Sequence, residues 1–139
     1  MSTLNHHPCT TVTDVDQIPY RGEAVESMVI AETVKSICKS AFLCNYTLKF
    51  IQIPSSVTSI GEHSFASCTS LTSISIPNSV RHIGAAAFSG CTSLVSIVIP
   101  DSVTHLGDAA FCSCSSVTSI VFLTRLRILA ASHLDIAQG

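Results

Sequence analysis

The sequence predicts a repeat solenoid of α/β class that is mostly β, with a parallel sheet on one side and turns or short helices on the other. Three features support this fold class: a constant sequence period, a strand-like alternation of apolar and polar residues in each period, and a proline after most of these strands. A single unit of this size cannot cover its own apolar face. Stacked copies bury that face, so the repeat indicates an elongated core.

The period is constant through four copies, which start at Ile30, Ile53, Ile76 and Ile99. The second and third copies agree at 13 of 23 positions, and the third and fourth agree at 14. The first copy agrees with the second at 7 positions, of which six are apolar. The positions shared by all copies are therefore those expected of a core.

Each copy ends in a short strand. In "LTSISIP", Ile74 and Ile76 alternate with serine, as in a strand with one buried face. The equivalent strands read "LKFIQI", "LVSIVI" and "VTSIVF". Pro54, Pro77 and Pro100 follow at the same step, and because proline has no N–H to donate to a ladder, each marks the end of strand pairing.

The rest of each copy returns the chain to the start of the next strand. Val57, Ile60 and Phe65 are the predicted inward anchors of this return, which we expect to consist of a turn and a short helical segment. Gly61 is expected to ease the bend. The strands of successive copies would then stack in parallel about 4.8 Å apart.

The chain is expected to form one domain with capped ends, because exposed solenoid ends would otherwise stack on other molecules. The C-terminal end, "RLRILAASHLDIA", favours a helical half-repeat. The predicted parts are an N-terminal tail and degenerate capping repeat at 1–29, four repeats at 30–52, 53–75, 76–98 and 99–121, and a C-terminal capping half-repeat at 122–139.

The repeat resembles the BspA-like leucine-rich repeats, whose units read approximately L-x-x-I-x-I-P-x-S-V-x-x-I-G-x-x-A-F-x-x-C-x-S. The resemblance covers Ile30 to Val121, and the first copy departs from it at Ala31, Cys38 and Asn45, which replace Pro, Gly and Cys. The resemblance implies a curved, right-handed leucine-rich-repeat superhelix with the parallel sheet on its concave side. It implies binding to other macromolecules, often at cell surfaces, and no catalytic residues.

Composition and charge exclude several classes of protein. The net charge of −2 argues against nucleic acid as a partner, which normally requires clustered Lys and Arg. The apolar runs are far shorter than the roughly 20 residues that span a bilayer. The N-terminus lacks the basic start and apolar stretch of a secretory signal, so an intracellular, cytoplasmic location is expected.

Three of the seven cysteines are predicted to be structural. Cys68, Cys91 and Cys114 recur at the step of the repeat and should point inward as reduced thiols that can donate to a backbone carbonyl. Parallel side chains and an odd total argue against disulfides, and Cys112 with Cys114 forms a lone C-x-C without a second pair for zinc. No role is assigned to Cys9, Cys38 and Cys44. The sequence predicts no metal site and no cofactor.

Two other motifs leave alternatives open. His82 and His105 are one repeat apart and should stack on adjacent coils, either as a pH-sensitive or metal-binding pair or as exposed turn residues without function. Asn45 begins the N-glycosylation motif "NYT" but occupies a cysteine slot, so its amide is expected to turn inward and satisfy backbone groups. Serines fall in repeated slots instead of one singular site, so no catalytic residues and no enzyme activity are predicted.

The low charge of the repeats suggests a binding function. Between 53 and 121 the charged residues are Glu62, Arg81, Asp101 and Asp108, which is far below the usual content of about a quarter. We expect a non-catalytic protein-protein interaction module or scaffold subunit, with a protein as partner, within a larger assembly or array. A cell-surface adhesion or carbohydrate-binding module is the alternative, and a thiol- or metal-responsive protein is a weaker one.

The outward positions of the strands form the predicted binding face. Phe50 is the one aromatic among them, and it is expected either to anchor a partner or to pack against the N-terminal cap. The predicted binding residues are Lys49, Phe50, Gln52, Ser73, Ser75, Ser96, Val98, Ser119 and Val121.

Overall fold

The structure, a computed structural model, describes residues 2–4 and 26–123 of the chain. Most of the predicted N-terminal cap and nearly all of the C-terminal cap lie outside the described residues. Within them the chain forms a parallel-strand β-solenoid of about four turns, as the repeat predicts. The strands are β1 (Ser2–Leu4), β2 (Ser27–Ile30), β3 (Ser36–Ile37), β4 (Phe50–Gln52), β5 (Ser59–Ile60), β6 (Ser73–Ser75), β7 (His82–Ile83), β8 (Ser96–Ile99), β9 (His105–Leu106) and β10 (Ser119–Phe122).

The strands form two parallel sheets. The wide sheet has the order β1-β2-β4-β6-β8-β10, and the narrow sheet has the order β3-β5-β7-β9. From β2 onward, strand partners are one repeat apart, so that Phe50 pairs with Ser73 in the wide sheet and Ile60 with Ile83 in the narrow one. One turn of the solenoid therefore corresponds to one sequence repeat.

The segments that connect successive strands of the wide sheet do not contain the short helix that was expected. The described residues contain no helix, and the return segments consist of turns and two-residue strands. Backbone N–H groups that would bond within a helix instead bond to the preceding coil, for example Thr58 N to Lys35 O at 2.9 Å and Gly61 N to Ile37 O at 2.8 Å. Pairing between coils satisfies the backbone here, which removes the need for a local helix.

The inward side chains of both sheets form one hydrophobic core. Ile51, Ile74 and Ile97 reach it from the wide sheet, and Ile60 and Ile83 reach it from the narrow sheet. All five are buried, and they occupy equivalent slots of successive coils. The inward positions expected from the strand pattern are confirmed.

A column of phenylalanines runs through this core. Phe42, Phe65, Phe88 and Phe111 are buried and stacked in sequence, with ring centroids 4.9, 5.2 and 5.4 Å apart and nearly parallel planes. Each inner ring therefore contacts a ring on both sides. Aromatic contacts of this kind add to the free energy gained by burying the rings.

The glycines of the repeat serve a different purpose from the one expected. Gly61, Gly84 and Gly107 do not have a positive φ, so they are not required by the bend. A Cβ at Gly61 would lie 2.6 Å from the backbone carbonyl carbon of Cys38 in the preceding coil. Glycine is needed because neighbouring coils approach each other so closely at this slot.

The cysteine column is built as predicted. The thiols of Cys68, Cys91 and Cys114 are free and buried, and they donate to the carbonyl oxygens of Phe42, Phe65 and Phe88 at 3.1 to 3.2 Å. Burial raises the pKa of Cys68 to about 12 and that of Cys114 to about 11, and it also raises the pKa of Cys91. These thiols are therefore protonated at neutral pH.

Cys38 corrects the sequence interpretation, which assigned it no role. It is disulfide-bonded, and its partner lies outside the described residues, because Cys44, Cys68, Cys91, Cys112 and Cys114 are free. Cys38 occupies the slot that is glycine in the later coils, where a Cβ points towards the preceding coil.

Removing one ring from the phenylalanine column should destabilise the protein strongly. Phe88→Ala leaves a cavity between two neighbouring rings, and we expect it to lower the free energy of unfolding by about 3 to 5 kcal/mol. Ser96→Ala is the control, because Ser96 is exposed on the wide sheet and should change stability by no more than about 0.5 kcal/mol. Urea denaturation measures both, and an unchanged midpoint for Phe88→Ala would contradict the register.

Replacing one buried serine should stabilise the protein. The Ser64 hydroxyl is fully buried and has no hydrogen-bond partner, whereas the same slot holds Ala41, Ala87 and Ala110 in the other coils. Because an unsatisfied buried polar group is costly, Ser64→Ala should raise the free energy of unfolding by about 1 kcal/mol or more. A loss of stability in the same denaturation assay would mean that the hydroxyl is bonded.

The burial of the thiol column should make it unreactive. At pH 8 we expect a disulfide-exchange reagent to modify exposed Cys44 within minutes, and Cys68, Cys91 and Cys114 only after unfolding, because a thiol must ionise to react. Peptide mapping by mass spectrometry identifies the modified residues. Cys44→Ser should remove one equivalent of fast reaction, and fast modification of Cys91 in the folded protein would contradict the inward orientation.

Candidate functional site

The solvent-facing side of the wide sheet is the candidate site. All nine predicted binding residues are exposed there, and we call this surface the outer face: Lys49, Phe50, Gln52, Ser73, Ser75, Ser96, Val98, Ser119 and Val121. They reach this side because side chains alternate along each strand, with Ile51, Ile74 and Ile97 pointing to the core between them.

The in-register pairing arranges these residues in columns. Phe50, Ser73, Ser96 and Ser119 are successive partners across β4, β6, β8 and β10. In the second column Gln52 pairs with Ser75, and Val98 pairs with Val121. The surface is thus a regular array in which neighbouring rows are about 4.8 Å apart.

A third column lies at the start of the strands. The backbone N–H of Thr72 donates to Lys49 O at 3.1 Å, and that of Thr118 donates to Val95 O at 2.9 Å. The hydroxyls of both threonines donate to the same carbonyls, at 3.2 and 3.4 Å. Because these hydroxyls are already bonded to the backbone, the column is less polar than its composition indicates.

Charge is confined to one end of this surface. Lys49 Nζ lies 2.9 Å from Glu26 Oε1, and both side chains are exposed, so the ion pair is screened by water. From Thr72 to Val121 the wide-sheet columns consist of serine, threonine and valine, with no charged residue. A partner could cover this region without displacing water from a charge.

The uncharged region includes exposed apolar side chains. Val95, Val98 and Val121 are 49%, 47% and 44% exposed, Val98 and Val121 are strand partners, and Leu123 is also exposed. The sequence interpretation included Val98 and Val121 among the binding residues, placed Val95 in a flanking column only, and did not include Leu123. Val95 aligns with Lys49, Thr72 and Thr118, and Leu123 aligns with the prolines. An apolar residue at a position that is polar or proline in the other copies was the sequence signal that could have identified both.

Phe50 lies at the charged end of the outer face. Its side chain is 39% exposed, and its strand partners are Ser27 on one side and Ser73 on the other. The ring is therefore accessible on the outer face while part of its surface is covered. It is the one aromatic side chain among the residues of the outer face.

Asn45 is used structurally, as expected from its slot. Its Oδ1 accepts hydrogen bonds from the backbone N–H groups of Thr47 and Leu48 at 3.2 and 3.1 Å. Its Nδ2, the atom that would carry a glycan, is buried. The folded structure does not present this amide for modification.

Two features are absent from the part of the chain that the structure describes. Residues 2–4 and 26–123 contain no group of three or more His, Cys, Asp or Glu side chains that could hold a metal ion. The same residues include no helix long and apolar enough to cross a membrane. The outer face is therefore the surface on which a function is best argued.

Solved structures of bacterial proteins share this architecture. A leucine rich cell surface protein from Faecalibacterium prausnitzii A2-165 is 32% identical over 83% of this chain and 30% of its own, with a TM-score of 0.71. A leucine-rich repeat protein from Bacteroides ovatus is 39% identical over 70% of this chain and 25% of its own, with a TM-score of 0.66. The pneumococcal vaccine antigen PcpA is 28% identical over 70% and 24%, with a TM-score of 0.69.

The chain thus spans 30% or less of the length of these three proteins. No curated protein matches its sequence. The model of the BspA type leucine rich repeat region matches residues 13–133 in six copies, which is most of the chain. The period, the parallel solenoid and this match agree, and the chain belongs to the BspA-type leucine-rich repeat family.

Proposed function

We propose that this chain is a non-catalytic protein-binding module that contacts its partner through the outer face. The observation that carries the proposal is that the wide-sheet columns beyond Lys49 carry no charged residue. These columns are exposed and include the half-exposed Val95, Val98 and Val121. The cores of protein interfaces are likewise depleted of charged residues. A contiguous apolar surface that remains exposed on a folded protein is often an interaction site.

The rigidity of the array supports the same function. Strands β2 to β8 of the wide sheet pair with neighbours on both sides, so the backbone that carries most of the outward side chains is held by hydrogen bonds before a partner binds. Threonine hydroxyls in the third column are held by backbone carbonyls. A preorganised surface loses little conformational entropy on binding, which favours affinity from a modest area.

Adhesion at a cell surface is a second candidate for the biological setting of this module. The Faecalibacterium prausnitzii relative is a leucine rich cell surface protein, and disulfides such as that of Cys38 persist mainly in oxidising, extracellular environments. A carbohydrate partner is less well supported, because Phe50 is the one aromatic of the outer face on which a sugar ring could stack. Binding to a glycan array that Phe50→Ala removes would favour the carbohydrate.

Substitutions on the outer face should weaken partner binding without unfolding the domain. With a partner identified by affinity purification from the native source and mass spectrometry, we expect Phe50→Ala to reduce binding by about 2 kcal/mol, or roughly 30-fold. Val98→Lys and Val121→Lys should abolish it, because each buries an unpaired charge in the interface. Calorimetry measures the affinity, and circular dichroism checks the fold.

Asn78→Lys is the matched control, because it adds the same charge at an exposed turn away from the outer face. This variant should bind as the original chain does. If the complex persisted unchanged through Phe50→Ala, Val98→Lys and Val121→Lys, the outer face would be the wrong surface. The narrow sheet and the turns would then become the better candidates.

A further inference from the structure

Two histidines stack on the narrow sheet, away from the outer face. His82 in β7 and His105 in β9 are direct strand partners, and both side chains are exposed. Their ring centroids lie 4.5 Å apart, with an angle of 11° between the planes. The stack expected from the repeat is present, and the two imidazoles face solvent on the same side of the sheet.

A threonine hydroxyl contacts one of the two rings. The Thr104 hydroxyl oxygen lies 3.3 Å from Arg81 O, which also accepts the backbone N–H groups of Thr104 and His105 at 2.9 and 3.2 Å. The same hydroxyl oxygen lies 3.0 Å from His105 Nδ1, so it can accept a hydrogen bond from this ring in the tautomer that carries its proton on Nδ1. In that tautomer the lone pair of Nε2 is free to bind a ligand.

A histidine that coordinates a metal usually donates its other ring N–H to an oxygen, which orients the ring and increases its basicity. Two imidazole nitrogens at about 2.0 to 2.1 Å from one ion lie roughly 3 Å apart, which exposed rings on adjacent strands can reach by tilting towards each other. Arg81 beside them is exposed, so water screens its charge.

We propose that His82 and His105 together bind one late first-row divalent cation, of the class of Ni²⁺, Cu²⁺ and Zn²⁺. Imidazole is a preferred ligand of these ions, and water molecules complete the coordination shell. Two protein ligands make a site of modest affinity. The site is independent of the proposed partner binding, because its residues belong to the narrow sheet and those of the outer face to the wide sheet.

Ni²⁺ is the probe for this site, because it prefers imidazole and does not oxidise the free thiols. The titration is performed by calorimetry on the full chain carrying His6→Gln and His7→Gln, since this adjacent pair could chelate the ion separately. We expect one Ni²⁺ per chain, and at least tenfold weaker binding when His82→Gln or His105→Gln is added. His63→Gln, which removes a different, half-buried histidine beside Glu62, should leave the affinity unchanged.

A second set of variants tests the role of the hydrogen bond. Thr104→Val removes the acceptor for His105 Nδ1 and should weaken Ni²⁺ binding severalfold, whereas Thr104→Ser keeps the hydroxyl and should retain it. Ni²⁺ should also raise the unfolding temperature of the parent chain but not that of His82→Gln. Unchanged affinity in His82→Gln or His105→Gln, or an equal loss in His63→Gln, would overturn the proposal.

Discussion

The structure depends on one constraint, the constant register between coils. Backbone N–H groups of one coil donate to carbonyls of the next at a fixed step, as with Phe65 N to Ala87 O and Phe88 N to Ala110 O, both at 2.8 Å. Inserting one residue in a coil would move its inward isoleucines to the solvent side, because side chains alternate along a strand. The same slip would break the bonds on both sides of that coil. Coil length is therefore as strongly constrained as the identity of any core residue.

This register makes every buried slot contact its own equivalent. Phe88 stacks on Phe65 of the preceding coil. The thiol of Cys91 donates to the backbone carbonyl of the same Phe65, three residues before the equivalent cysteine, Cys68. A residue type that fits once therefore fits in every coil, which explains why the sequence repeats its buried positions more faithfully than its exposed ones. Glycine at 61, 84 and 107 follows the same logic, since backbone from the neighbouring coil occupies the space that a side chain would need.

Much of this could be predicted from the sequence, because the repeat aligns four copies of each slot. The inward residues, the direction of the cysteines and the exposed columns all follow from period and alternation. The narrow sheet and the reason for glycine did not follow, because both depend on how closely the next coil approaches, which residue types do not reveal. Cys38 was missed for the same reason, since its direction is defined by a slot that is glycine elsewhere. The exposure of Val95 follows from its flanking column, but its apolar character is specific to this coil, because the repeat changes there from lysine and threonine to valine.

The two solvent-facing surfaces of the solenoid differ in chemistry, although the same register builds both. Inter-coil hydrogen bonds and the core supply stability, so the residue types at exposed positions can vary. The exposed residues of the wide sheet are mostly uncharged, whereas those of the narrow-sheet side include cations and imidazoles. The wide sheet beyond Lys49 presents hydroxyls and valine methyls, which cost less to desolvate than charged groups do. The narrow-sheet side carries Lys35, Arg81 and two stacked imidazoles, which are better suited to solvated ions than to a dry interface. A protein that covered the wide sheet would leave the histidine pair exposed, so the two surfaces can be occupied at the same time.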